Sequence, residues 1–204
     1  MPTLMYIHGY ASTGNATKAQ LLRRMFPDCR VVSPTLRYEQ ESPDEIQSTL
    51  RRLMEINHVR LVVGSSFGGY HALCATQVFD GAVWCINPVN DVLATIRKVM
   101  PMLGADFYKA RSAGMDGSES MMALEEMLKV YEDFDKRVFQ QLPRRENQLN
   151  FALSRHDEVL GGHGHLLDMF KNVRNVVWSE TSSHHYEDFV ELKELMAQTL
   201  EAEE

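Results

Sequence analysis

The residues best suited to chemistry lie in Val62-Val63-Gly64-Ser65-Ser66-Phe67-Gly68-Gly69-Tyr70, an apolar run that passes into two serines between glycines. Gly64-Ser65-Ser66-Phe67-Gly68 has the spacing G-x-S-x-G, with Ser66 at the middle position. A serine held on a sharp strand-to-helix turn presents its hydroxyl outward. The strained backbone leaves no room for side chains two residues before or after it, which favours glycine at both places. The following helix aims its first N–H groups at the site, where they stabilise developing negative charge. Ser65 is the alternative nucleophile, but it would need small residues where Val63 and Phe67 stand. A purely structural turn uses the same glycines; a strand before and a helix after tell the two apart.

A serine hydroxyl is a poor nucleophile without a base, and the base needs an acid to orient it. On a strand-turn-helix site the acid follows the serine in sequence and the histidine comes last. The stretch "SRHDEVL" offers Asp157 and Glu158 after an apolar run, and "SETSSHHYEDF" offers His184 and His185 after another. Neighbouring side chains point apart, so one histidine at most is the base. A tetrahedral oxyanion needs two preorganised N–H donors. One falls to Phe67, directly after the nucleophile. The other falls to Tyr10 in "YIHGYASTG", with Ala11 second. Gly9 lets that loop approach the nucleophile, and His8 is read as a brace that hydrogen-bonds the loop, not as a catalytic group.

These residues need elements to hold them. Short apolar runs at Thr3–Ile7, Arg30–Ser33, Val59–Val63, Ala82–Ile86, Leu149–Leu153 and Val173–Trp178 predict six strands. Helical patterns alternate with them. The segment "SPDEIQSTLRRLMEI" has Ser42 as N-cap, Pro43 at the first helical position and acids in the first turn. Helices are also predicted over Gly69–Phe79 and Phe189–Leu200. This alternation predicts an α/β fold with a mostly parallel sheet covered on both faces, in a single domain over 1–204. Between Asp91 and about Arg145 no strand pattern is present. Two helical stretches flank a loop with Gly104, Gly114 and Gly117, which reads as a helical lid. The lid is rich in methionine (Met100, Met102, Met115, Met121, Met122, Met127), a side chain suited to an adaptable pocket or simply to packing the lid down.

The 204-residue chain carries a net charge of −7, which argues against nucleic acid or an anionic membrane as partner. Three separated cysteines, Cys29, Cys74 and Cys85, read as reduced thiols in a cytoplasmic protein. No run is long and apolar enough for a membrane span or a signal peptide. His156, His163 and His165 read as solvated loop histidines, since H-x-H lacks a placed third ligand, and no metal is expected. No nucleotide-binding glycine pattern is present, so no cofactor is expected. The expected partner is a small-molecule substrate, and the chain is expected to be a monomer or homodimer.

The stretches "LMYIHGYASTGNATKAQLL", "VVGSSFGGYHA", "CINPVNDVL" and "DEVL" resemble the small bacterial YqiA/YcfP-type family, esterase-like proteins of the α/β-hydrolase superfamily. The resemblance spans both halves of the chain, strongest over about the first ninety residues and poor through the lid region. It implies an α/β-hydrolase fold, a Ser–His–Asp triad and hydrolysis of esters or thioesters of short acyl groups. It carries over Ser66, and Asp157 in place of Glu158 because Asp157 opens "DEVL". His184 is the transferred base, from the pattern His-x-apolar in His184-His185-Tyr186, with His185 the alternative; the glycine-rich approach usual in the family is replaced here by Thr181-Ser182-Ser183. Two readings compete with a serine esterase: a thioesterase acting on acyl-CoA or acylated protein, and a non-catalytic binding module on the same fold.

Overall fold

The structure, a computed structural model, describes residues 1–103, 122–142 and 148–201. Six strands form one sheet in the order β2-β1-β3-β4-β5-β6, and every neighbouring pair is parallel. They are β1 (Thr3–Ile7), β2 (Arg30–Val32), β3 (Val59–Ser65), β4 (Ala82–Ile86), β5 (Leu149–Ser154) and β6 (Asn175–Ser179). The sheet is thus wholly parallel, which a chain of strand-helix-strand crossovers requires.

Side chains alternate across the sheet, and each face has its own core. Met5, Ile7, Val62, Val83, Cys85 and Phe151 face one side. Leu4, Tyr6, Leu61, Val63, Trp84 and Ala152 face the other. The first side is covered by α2 (Pro43–Ile56) and α3 (Phe67–Ala75), the second by α1 (Thr17–Met25) and α7 (Lys193–Glu201). Helix α2 starts as its sequence dictates. Ser42 accepts from the Glu45 N–H, and the Glu45 carboxylate accepts from the Ser42 N–H at 2.8 Å. Its Ile46, Leu50 and Met54 fall on one buried stripe.

Between β4 and β5, α4 (Val92–Val99) packs on α5 (Leu124–Arg137). Helix α5 is tied to α3 by polar contacts inside an aromatic cluster. The Tyr131 hydroxyl lies 3.0 Å from His71 Nε2, and the Tyr70 hydroxyl donates to Asp135 at 3.2 Å. Met127 is fully buried in this packing, whereas Met102 is exposed. The lid glycines, Met115 and Met121 lie outside the described residues.

Two helices differ from the sequence reading, and α3 also ends at Ala75 and not at Phe79. Helix α3 starts at Phe67, before the expected Gly69, because the Ser66 carbonyl already accepts from the Gly69 and Tyr70 N–H groups. The closing segment is not one α-helix from Phe189. A 3₁₀ stretch over Glu187–Leu192 precedes α7. The Asp188 carboxylate there is held by the Ser179 and Thr181 hydroxyls, which fixes the turn. A short helix α6 (Gly164–Met169) lies between β5 and β6.

Candidate active site

The chain runs from β1 outward to β2 and returns to β3 beside β1. That reversal opens a crevice at the carboxyl ends of β1 and β3, where open parallel sheets place their ligands. Ser66 sits there, directly after β3, with φ 55° and ψ −118°. These angles are costly for a residue with a side chain and persist only when the surroundings enforce them. The surroundings are tight. A Cβ on Gly64 would collide with the Gly68 carbonyl, and one on Gly68 with the Ile7 and His8 carbonyls. The Ser66 N–H donates to the Ile86 carbonyl at 2.9 Å, and its own carbonyl accepts from Val89 at 3.1 Å.

The structure brings Ser66, His184 and Asp157 into one hydrogen-bonded row. Ser66 Oγ lies 2.8 Å from His184 Nε2. His184 Nδ1 lies 2.9 and 3.0 Å from the two Asp157 carboxylate oxygens. A carboxylate only accepts, so Nδ1 carries the proton and Nε2 is left to accept from the serine hydroxyl. Asp157 Oδ1 also accepts from the Val159 and Leu160 N–H groups at 3.0 and 2.8 Å. Burial works against its charge, but the His163 and His184 rings and the Leu160 N–H outweigh it, and the carboxyl sits well below the usual range.

The alternatives read from the sequence are elsewhere. His185 is exposed, and its carbonyl accepts from Lys18 Nζ. Glu158 does not reach the imidazole; its carboxylate accepts the His184 backbone N–H at 3.0 Å. Ser65 ends β3 and is buried. His163 is a correction: it is buried, with Nε2 3.5 Å from Asp157 Oδ2. Helix α6 starts directly after it and turns the ring inward, whereas His165 stays exposed.

Tyr10 and Phe67 meet edge to face, ring centroids 5.6 Å apart, and both border the space in front of Ser66. Phe67 opens α3, so its N–H has no acceptor in the first turn of that helix. A Cβ on Gly9 would lie 3.2 Å from Ser66 Cβ, so the β1 loop rests against Ser66. His8 braces that loop. Its Nε2 accepts from the Leu36 N–H at 2.9 Å, which leaves Nδ1 as the donor to the Gly9 carbonyl at 2.8 Å.

Asn87 is a residue that sequence reasoning missed. It is fully buried, with φ 41°, just beyond β4. Its Oδ1 accepts from the Ser154 N–H at 2.7 Å, and its Nδ2 donates to Ser154 Oγ at 2.8 Å and the His184 carbonyl at 3.0 Å. It therefore joins the ends of β4 and β5 to the loop that carries His184. An asparagine after a strand signals a left-handed turn, but partners so distant in sequence leave no local trace.

Two cavities share Ser66, His184 and Tyr10, one of about 390 Å³ under α4 and one of about 410 Å³ beside the start of α1. Among the described residues, no group of three or more His, Cys, Asp or Glu is arranged to hold a metal ion. Among them, too, no helix is long and apolar enough to cross a membrane.

Comparison with solved structures places this architecture. A monoacylglycerol lipase of Paleococcus ferrophilus aligns with TM-score 0.66 at 10% identity, covering 99% of this chain and 95% of its own. Est1E of Butyrivibrio proteoclasticus, with ferulic acid bound, aligns with TM-score 0.63 at 13% identity, covering 98% and 90%. Mouse alpha/beta hydrolase domain-containing protein 10 aligns with TM-score 0.61 at 13% identity, covering 99% and 90%. The fold is the α/β-hydrolase fold. Residues 3–199 match the family described as "Uncharacterised protein family (UPF0227)", and the chain belongs to that YqiA/YcfP-type family.

Proposed function

We propose that this protein is a cytoplasmic serine hydrolase that cleaves carboxylic esters or thioesters of small acyl groups through a Ser66–His184–Asp157 triad. The observation that carries the reading is the unbroken row of contacts, 2.8 Å from Ser66 Oγ to His184 Nε2 and 2.9 Å from His184 Nδ1 to Asp157. The monoacylglycerol lipase named among the structural relatives is in keeping with it.

Ser66 Oγ attacks the substrate carbonyl carbon as His184 Nε2 takes its proton. The Phe67 and Tyr10 N–H groups hold the resulting oxyanion. Collapse of the tetrahedral intermediate breaks the bond to the leaving oxygen or sulfur, and His184 returns the proton to it. Water then attacks the acyl-serine, giving up a proton to His184, and the second collapse releases the acid and restores Ser66. Asp157 stays ionised throughout and holds the imidazole in one tautomer.

The test is labelling by a fluorophosphonate probe together with turnover of short-chain p-nitrophenyl esters and matching acyl thioesters. Wild type is expected to label and turn over. Ser66→Ala should abolish labelling, and Ser66→Ala or His184→Ala should lower turnover by about 10⁶. Equal labelling of Ser66→Ala and wild type, or no labelling of wild type, would overturn the proposal in favour of a binding module.

A further inference from the structure

The two cavities that meet at Ser66 and His184 differ in chemistry, the first mostly apolar and the second about half polar. The larger share of the first cavity's wall is apolar, from Ile96, Val99, Met102, Leu103 and Val159. Its two charged residues are turned to other work. Lys98 Nζ donates to the Glu158 and Val159 carbonyls at 3.1 and 2.6 Å, and the Glu158 carboxylate accepts the His184 N–H. The second cavity is bordered by Ser12, Thr17, Lys18 and His185. Lys18 is its one ammonium. That group has three N–H donors, and among the described residues Nζ has one hydrogen-bond acceptor, the His185 carbonyl. Burial lowers the Lys18 pKa, and the acid whose field opposes that, Glu187, is exposed and bonded to the Ser183 N–H and hydroxyl at 2.8 and 2.5 Å.

We infer that the apolar cavity takes the acyl chain and the polar one takes a leaving group that carries a negative charge, read by Lys18. This inference rests on the hydrolase reading. An acyl chain has no polar atom beyond its carbonyl, so it gains most where water is excluded. The leaving group must stay within reach of His184, which returns its proton and also lines the polar cavity. An anion there replaces lost water contacts with an ammonium; a cation would meet like charge.

The experiment compares kcat/KM for butanoyl esters of glycerol 3-phosphate, glycerol and choline, in wild type, Lys18→Met and Lys18→Arg. Wild type should prefer the phosphate ester over the glycerol ester by about fivefold, the size of a partly exposed ion pair, and the choline ester should be the poorest. Lys18→Met should bring the phosphate-to-glycerol ratio close to one, and Lys18→Arg should keep it. A choline ester turned over as well as the phosphate ester, or an unchanged ratio in Lys18→Met, would overturn the inference while p-nitrophenyl ester turnover leaves the hydrolase standing. Absence of turnover of every ester, with no labelling of Ser66, would sink both.

Discussion

Asp157 must do two things for the proposed chemistry: stay charged, and hold His184 in the tautomer whose Nε2 is bare. Its carboxyl lies well below the usual range, so it is ionised throughout the neutral range of pH. Asp157→Asn removes the charge and, worse, can present an amide N–H to Nδ1, which drives the imidazole proton to Nε2. A protonated Nε2 cannot accept from Ser66. The expected loss is about 10⁴ in kcat near neutral pH, by analogy with triads in which this substitution leaves geometry intact. Ester turnover checks it, and a loss of less than about tenfold would mean that Asp157 does not set the tautomer. At this scale the sequence was informative because each role demands a residue type. G-x-S-x-G singled out Ser66 from chemistry and sterics alone. Choosing between His184 and His185 was different, since adjacent residues have the same composition and differ only in the direction of their side chains. That direction depends on a loop held by Ser179, Asp188 and Asn87, contacts with no sequence pattern.

The elements deliver these residues through their ends, and strand ends are where sequence patterns fade. Val59–Val63 was legible as a strand because four of its five residues, Val59, Leu61, Val62 and Val63, are apolar and mostly β-branched. The ladder continues through Gly64 and Ser65, which pair with Cys85 and Ile86, and nothing in their side chains announces it. The same holds for Asn87, which joins the tips of β4 and β5 under the His184 loop. Asn87→Ala would delete its four side-chain hydrogen bonds and leave the Ser154 N–H and the His184 carbonyl without that partner. We expect kcat to fall by roughly 10- to 100-fold with KM nearly unchanged, because the displaced group is the proposed base. The cost in stability should be about 1–3 kcal/mol. A purely structural role would instead lower the urea midpoint and leave the kcat of the folded fraction at the wild-type value.

Across the whole molecule, the parallel sheet could be read from alternation alone, but the helices between β4 and β5 could be placed only as a gap in the strand pattern. One tie from α5 to the body is His71 on α3, which the sequence reading passed over as part of an apolar helix. His71 is fully buried. Its Nε2 lies 3.0 Å from the Tyr131 hydroxyl on α5, and its Nδ1 lies 3.0 Å from the Gln47 amide on α2. An amide N–H donates to Nδ1, so the ring is neutral with its proton on Nε2. Burial, with His8 adding a smaller push, lowers its pKa to about 3. The unfolded chain therefore takes up a proton below about pH 6.5 that the folded chain refuses until near pH 3. The stability tied to a neutral His71 is fully present above that upper limit and is lost as pH falls through the window, by on the order of 1 kcal/mol per pH unit. Asp157, with its lowered pKa, adds to the same trend only at the acid end, below about pH 4. Urea unfolding of wild type between pH 7 and pH 4 should thus show steadily falling stability. His71→Gln cannot titrate, so whatever its starting stability, its curve should be flatter over that range. Parallel curves for the two proteins would mean that another group carries the acid sensitivity.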